Sequence, residues 1–241
     1  MSFYITFKGT TSTSVGLEVV RRPNIPAAEP VYEPYEIPGR DGVLMPSDVR
    51  YGAIEIDVEM NLMASSPDTV GAAYQAAKAW LTGSGNLSFS DMADGFYKVY
   101  SASIIEVERS SYRIVTFIAH FVCDPYFYFT SGTTLTDLSA SNTIVNSTAF
   151  VAEPFYRILV AAGSSASITV NNTEITFTGR ATAQTWFYVY TSIPTVVDST
   201  GASQLSRTSG DITKMKLQPG NNTIVVSGGS NPQIRPYWRT L

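Results

Sequence analysis

The segment CDPYFYFTSG, residues 123–132, divides the sequence into two parts of different composition. A long apolar stretch, Tyr112–Cys123, leads into it, and a tract rich in Thr, Ser, Gly and Asn follows it. Because proline has no backbone N–H to donate, Asp124-Pro125 should end the strand ladder here. We therefore predict two domains, residues 1–130 and residues 131–241.

The composition indicates a globular chain rich in β-structure. Of its 241 residues 44% are hydrophobic and only 15% charged, against roughly 25% charged in ordinary domains. The net charge of −4 argues against a partner bound through nucleic-acid phosphates. The charge is uneven, because residues 1–130 hold 9 Lys/Arg and 15 Asp/Glu, and residues 131–241 hold 7 and 5.

Targeting and redox signals are missing from the sequence. Residues 1–7 show no basic region followed by an apolar one, and no run approaches the roughly 18 apolar residues of a membrane span. We therefore expect synthesis in a cytoplasm and no membrane partner. The single cysteine, Cys123, lies in an alternating apolar run and is predicted to be a buried core residue.

The first domain is predicted to be α+β. Residues Ile54–Leu62 alternate apolar and polar side chains, which is typical of a strand with one buried face. Ser66 and Pro67 mark the start of a helix that ends near Gly83, because its apolar residues recur at three- and four-residue steps. Asp94-Gly95 predicts a turn, and a second sheet is expected to cover the outer face of Tyr112–Cys123.

Residues 23–50 are predicted to form an extended arm. Proline occurs six times between Pro23 and Pro46, which excludes a central strand. The sequence Pro38-Gly39 favours a turn. An arm of this kind needs cover from its own domain or from a neighbouring subunit. The candidate interface residues are Tyr32, Tyr35, Ile37, Gly39, Arg40, Asp41 and Gly42.

The second domain is predicted to be a jelly-roll-like β-sandwich. Short strand patterns follow one another at the spacing of a sandwich, with a hairpin around Asn171-Asn172. Trp186, Tyr188 and Tyr190 share one face of a strand. A core face is the favoured interpretation, and a platform for stacking sugar rings is the alternative.

The residues needed for catalysis or metal binding are not grouped in the sequence. The one histidine, His120, falls within a strand, and no Cys or His spacing fits zinc. No glycine-rich loop opens a helix to bind phosphate. Acidic residues are too scattered to single out a pair for glycoside hydrolysis. We predict no enzymatic activity, no cofactor and no metal.

Several motifs together resemble the distal tail protein (Dit) family of bacteriophages with long, non-contractile tails. They are Ile37–Gly42 in the arm, Leu87–Asp91 with Tyr97, Phe121–Tyr126, Leu217–Ile224 and Arg235–Arg239. They occur in this order along the whole chain.

The resemblance implies a structural virion protein at the distal end of the tail. It implies a mainly β fold: an N-terminal domain with a β-sandwich, one helix and the arm, and a galectin-like C-terminal sandwich. The first domain would form a homo-hexameric ring in which each arm reaches the next subunit. Expected partners are the tail tube protein, a tail-associated lysin or tail fibre protein, and a receptor-binding protein, in a virion assembled in the host cytoplasm.

Two other functions remain open at this point. A carbohydrate-binding module would use the row of Trp186, Tyr188 and Tyr190 to recognise host cell-wall glycans. A wall-degrading hydrolase would use carboxylates that the sequence does not single out.

Overall fold

The computed structural model describes residues 3–32, 35–36, 38–39, 41–44, 50–109 and 111–241. The chain is mainly β, as predicted from its sequence. Its contacts divide it into two compact units, Met1–Phe127 with Leu241, and Tyr128–Thr240. Each unit is described by itself below.

The first unit is built from eleven of the strands and one α-helix within the described residues. They are β1 (Ile5–Phe7), β2 (Thr10–Thr11), β3 (Leu17–Val19), β4 (Pro30–Val31), β5 (Tyr35–Glu36), β6 (Val43–Leu44), β7 (Arg50–Tyr51), β8 (Ile54–Met63), α1 (Val70–Trp80), β9 (Gly83–Phe89), β10 (Met92–Glu108) and β11 (Ile114–Phe129). Strand β11 continues two residues into the second unit.

The predicted helix is confirmed. A 3₁₀ turn at Pro67–Thr69 precedes α1. The backbone N–H of Ser66 donates to Oγ1 of Thr69 at 3.2 Å, which satisfies a donor just before the first turn. At the other end of the helix, the indole Nε1 of Trp80 donates to the carbonyl of Phe7 on β1 at 3.1 Å. The helix is thereby held against the sheet.

The main sheet of the first unit runs in the order β2-β1-β9-β10-β11-β8-β3. Seven flat strands would span about 29 Å at about 4.8 Å per strand. The chain nevertheless connects the two edge strands directly, and the six residue steps from Thr11 to Leu17 reach only about 20 Å. The rings of Phe7 on β1 and Phe121 on β11 also lie 5.3 Å apart. The sheet therefore curls strongly around its own core.

Strands β8 and β11 pair so that their alternating apolar side chains lie on the inner face of the sheet. They pair from Ile114↔Met63 to Cys123↔Ile54. Phe117, Phe121 and Cys123 are fully buried on the inner face. The pairing with β8 stops at Cys123, but β11 itself continues through Pro125 to Phe129, so the predicted end of the strand was wrong.

On the outer face of β11, Ile118 borders a groove lined by residues 21–26. On the same face Tyr126 contacts Tyr51 of β7, with ring centroids 6.2 Å apart. The cover of this face by a second sheet stays a prediction, whereas another prediction for this unit was wrong. The predicted turn at Asp94-Gly95 lies inside β10, where the register shifts between Met92 and Tyr97, and the chain turns earlier, at Ser90-Asp91. A bulge tolerates the same residue types as a turn.

The second unit forms two five-stranded sheets. Its strands are β12 (Thr136–Asp137), β13 (Ser141–Asn146), β14 (Phe155–Val160), β15 (Ser165–Val170), β16 (Thr173–Thr178), β17 (Thr185–Tyr190), β18 (Thr195–Val197), β19 (Thr208–Ser209), β20 (Gly220–Ser227), β21 (Ser230–Arg235) and β22 (Arg239–Thr240). The sheet orders are β12-β21-β14-β17-β18, called sheet D here, and β13-β20-β15-β16-β19, called sheet E.

The inner faces of sheets D and E share one hydrophobic core. Phe187 of sheet D meets Phe177 of sheet E with ring centroids 5.1 Å apart, and both residues are fully buried. The hairpin β15–β16 turns at Asn171, whose φ of 53° is left-handed. The predicted sandwich and its hairpin are thus confirmed. Strand β13 was missed, because its Ser/Thr/Asn-rich sequence has few apolar residues.

Candidate functional site

The arm is a two-stranded ribbon that leaves the sheet and returns to it. Pro30 pairs with Tyr51 and Val31 with Arg50 near its base, and Tyr35 pairs with Leu44 further out. Gly39 and Gly42 lie between the two strands, with φ values of 83° and 82°. This left-handed backbone favours glycine, which explains both glycines in the sequence.

The described side chains along the arm are mostly exposed. Val31, Tyr32 and Tyr35 expose 47%, 45% and 59% of their surface. Gly39, Asp41 and Gly42 are also exposed, whereas Ile37 and Arg40 of the predicted interface lie outside the described residues. An isolated two-stranded ribbon is at best marginally stable in water. Among its described residues the arm therefore shows no core of its own, although large apolar side chains line it.

The base of the arm is anchored to the first unit. Nε of Arg21 lies 3.2 Å from Oε2 of Glu59, and Arg22 forms an ion pair with Asp91. Pro23 is buried. Beyond this anchor, the backbone N–H of Gly52 donates to the carbonyl of Glu29 at 3.0 Å, so the two ends of the ribbon are neighbours.

The acidic row of β8 borders a groove of about 400 Å³ at the base of the arm. Glu55 and Asp57 are exposed and Glu59 is partly buried, as the alternation of the strand requires. Nδ1 of His120 lies 2.7 Å from Oδ1 of Asp57 across the strand pair. In the part of the chain that the structure describes, no three His, Cys, Asp or Glu residues are grouped to hold a metal ion.

Cys123 is a buried core residue, as predicted. Burial, followed by the nearby Asp124 carboxylate, raises the pKa of its thiol to about 12. The thiol therefore stays protonated and unreactive at neutral pH. Asp124 also accepts a 2.8 Å hydrogen bond from the Tyr100 hydroxyl, and burial, then this bond, raises the pKa of Tyr100 to about 12.

The row of Trp186, Tyr188 and Tyr190 does not belong to the core, so the favoured interpretation was wrong. The intervening Phe187 and Val189 are fully buried against sheet E. The row therefore lies on the outer face of sheet D, where Tyr190 is 37% exposed. Both faces of β17 are apolar, and the sequence pattern could not decide between them.

Aromatic rings on this outer face stack on one another, and two arginine guanidinium groups lie over them. The rings of Trp186 and Tyr188 are parallel within 2°, with centroids 5.9 Å apart. Phe155 stacks on Tyr188 at 6.0 Å. The Arg157 guanidinium lies 5.2 Å from the Trp186 centroid, and that of Arg235 lies 5.8 Å from the Phe155 centroid.

The sequence analysis did not predict Arg157 and Arg235 as site residues. The signal was present, because Phe155 and Arg157 are two residues apart on β14, and Gln233 and Arg235 are two apart on β21. Only the pairing of β14 with β17 and β21 places them on the same face as the aromatic row. The aromatic rings and arginines of this face are groups that could bind a ligand.

Among the described residues, no helix is long and apolar enough to cross a membrane.

The comparisons with known proteins place this fold among phage tail proteins. No family model and no curated protein matches the chain. The Dit protein of phage SPP1, described as a paradigm of the hub adsorption apparatus in phages that infect Gram-positive bacteria, matches with a TM-score of 0.68 at 15% identity, over 97% of both chains.

Two baseplate structures give the same result. The phage P2 baseplate in its activated conformation with Ca matches with a TM-score of 0.57 at 10% identity, over 97% of this chain and 96% of that one. The same baseplate with Sr matches with a TM-score of 0.53. The chain therefore has the fold of phage hub and baseplate proteins, and the resemblance to the Dit family is confirmed at the level of the fold.

Proposed function

We propose that this protein is the hub at the distal end of a non-contractile phage tail. The fold match over 97% of both chains with the Dit protein of SPP1 carries the proposal. In this role the chain joins the tail tube to the tail-tip apparatus, which comprises a tail-associated lysin or tail fibre and a receptor-binding protein. It acts as a structural part of the virion and contributes to host attachment.

The arm supports the assembly of this hub from several copies. It carries exposed Val31, Tyr32 and Tyr35 on a ribbon that shows no core in its described part. Burial of such side chains in a neighbouring subunit would contribute roughly 25 cal/mol per Å² of apolar surface. We propose that the first unit forms a ring of six copies clasped by the arms, and that the galectin-like second unit faces outward.

The mass in solution tests this assembly. A hexamer is expected at six times the chain mass of 26.2 kDa in light scattering after gel filtration, with rings visible by negative-stain electron microscopy. Only monomers at high concentration, with and without tail partners, would contradict the ring.

A deletion tests the arm directly. Glu29 and Gly52 are joined by a backbone hydrogen bond of 3.0 Å, so two glycines are long enough to connect them in place of residues 30–51. This variant and the double variant Tyr32→Ala/Tyr35→Ala are expected to remain folded and monomeric. Tyr190→Ala, on the second unit, is the matched control and should still form rings. If the deletion variant still forms rings, the arm does not hold the subunits together.

The proposal includes the absence of catalysis. The solved proteins that share this fold are described as hub and baseplate components. We expect no clearing in a zymogram that contains host cell wall. A cleared zone that is lost on substitution of an acidic residue would favour the hydrolase.

Carbohydrate binding by the second unit is a second candidate function. The observation that favours it is the position of Trp186, Tyr188 and Tyr190 on the outer face of sheet D. Aromatic faces at such a surface can stack against the apolar faces of sugar rings. Calorimetry of the full chain with host wall polysaccharide tests it, and no heat of binding would exclude it.

A further inference from the structure

The outer face of sheet D holds two neighbouring guanidinium groups. On β14 and β21, Phe155 pairs with Arg235 and Arg157 pairs with Gln233. Arg157 and Arg235 are therefore diagonal neighbours on one face, about 7–8 Å apart at the backbone. Each guanidinium lies over an aromatic ring. A guanidinium carries a planar fork of N–H donors, which matches the geometry of carboxylates and phosphates.

Neither charge is paired with a carboxylate of the described residues. The ion pairs found in the described part of the second unit involve Arg180, Lys214, Lys216 and Arg239, and neither Arg157 nor Arg235. Nε of Arg157 donates to the side-chain oxygen of the neutral Gln233. The nearby Asp137 carboxylate accepts from the amide of the same Gln233.

Arg235 also carries an unsatisfied donor. Its Nε is buried and has no hydrogen-bond partner among the residues that the structure describes. A buried polar atom without a partner costs about 1–3 kcal/mol, and such atoms are rare in native structures. Because Nε is buried, a ligand on this face would meet only the terminal nitrogens of the Arg235 guanidinium.

We propose that the outer face of sheet D binds an anionic glycan, through a carboxylate or phosphate group on Arg157 and Arg235 and through sugar rings on the row of Trp186, Tyr188 and Tyr190. This inference rests on the second candidate function and names its ligand class. Arginine matches both anions with paired N–H donors. The second half of the chain has 7 Lys/Arg and 5 Asp/Glu, so its net charge does not oppose the ligand.

Four probes separate the parts of this proposal. Isothermal titration calorimetry of the full chain would use oligogalacturonate, which carries carboxylates, and mannose 6-phosphate oligomers, which carry phosphates. Methyl-esterified oligogalacturonate keeps the rings without the charge, and inorganic polyphosphate keeps the charge without rings. We expect binding of at least one acidic oligosaccharide, and binding about tenfold or more weaker for the ester and for polyphosphate.

Substitutions assign the binding to this face. Arg157→Gln and Arg235→Gln are each expected to weaken binding by about tenfold or more, because each removes a charged donor. Arg207→Gln, which removes an equal charge beside sheet E, is the matched control and should bind like the wild type. Arg157→Lys keeps the charge without the planar fork and should bind more weakly than wild type. It also serves if a glutamine variant does not fold.

The outcomes are distinct from those of the hub proposal, which depends on mass and ring formation. Equal binding of the methyl ester would support a neutral glycan and overturn the anionic assignment. Equal binding of polyphosphate, or an equal loss in Arg207→Gln, would show general charge attraction and overturn it as well. No binding of either acidic oligosaccharide at millimolar concentration would overturn the proposal and leave this face to a protein partner.

Discussion

Two antiparallel ribbons in this protein differ in what covers them. The hairpin β15–β16 has six residue pairs, a further partner strand in β20, and an inner face buried against sheet D. The arm has two pairs in each of its two short ladders, and Val31, Tyr32 and Tyr35 are exposed. A covered apolar face stabilises a ribbon more than strand pairing alone, and the described part of the arm has the pairing without the cover.

The largest effect on the unfolding free energy is expected from a substitution in the core between sheets D and E. Phe187→Ala removes a fully buried ring that contacts Phe177. Truncation of a buried phenylalanine costs about 3–5 kcal/mol of unfolding free energy. Urea unfolding followed by circular dichroism measures it. Val225→Ala, at a 41% exposed position of β20, is the control, and an equal loss there would contradict the assigned faces.

The next effect concerns the loop that leads into β20, the partner of the stable hairpin. Asn222 is fully buried. Its side-chain Oδ1 accepts a hydrogen bond from the backbone N–H of Gln218 at 2.8 Å. Its Nδ2 donates to the carbonyls of Gln218 and Gly220 at 2.7 and 3.0 Å. Asn222→Ala leaves these groups unsatisfied and should cost about 1–3 kcal/mol.

The adjacent Asn221 supplies the control for this prediction, because it is exposed. Asn221→Ala should change the unfolding free energy by less than about 0.5 kcal/mol. If the two variants unfold at the same urea concentration, the buried amide does not hold the loop.

A smaller, pH-dependent effect is expected at the loop after β18, on the edge of sheet D. The pKa of Asp198 lies below its ordinary value of 3.8. The largest cause is the hydrogen bond from the Thr200 side chain, followed by that from the Thr200 backbone N–H. The Ala202 N–H and the Arg180 charge lower this pKa further. Since the folded state favours the charged form, Asp198 stabilises the unit above this ordinary pKa. The contribution is lost as the pH falls through the lowered pKa.

The pH dependence of urea unfolding tests this sign. Between pH 7 and pH 3 the wild type should lose more stability than Asp198→Asn, which cannot titrate. Parallel curves for the two proteins would show that Asp198 is not the group responsible.

The smallest effect on stability is expected in the arm. Tyr35→Ala removes a side chain that is 59% exposed, so the unfolding free energy of the monomer should change by less than about 0.5 kcal/mol. The same variant should weaken self-association in sedimentation velocity. A destabilised monomer with unchanged association would mean that the arm packs on its own subunit and would reverse the comparison of the two ribbons.

Local patterns in the sequence predicted the elements that have one buried face and one solvent-exposed face. Strand β8 follows from strict alternation, α1 from its spacing and start signals, and the β15–β16 turn from asparagine. The arm was predicted as extended because proline excludes a central strand. Patterns failed where both faces were apolar, as at Trp186 and Phe187, or where few residues were apolar, as in β13.

The candidate site was predictable only in part. The aromatic row could be read from β17, but Arg157 and Arg235 come from β14 and β21, and only strand pairing brings the three together. The groove at the base of the arm likewise joins residues 21–26 to β8.

By itself the sequence determined the β-rich class, the helix, the Pro-rich arm and the buried cysteine, because each depends on neighbours within a few residues. The tertiary structure alone decided that the first sheet curls strongly around its core, since this depends on which distant strands pair. It also decided which face of β17 is solvent-exposed. Burial is set by the second sheet that covers the other face, and no local pattern specifies that partner.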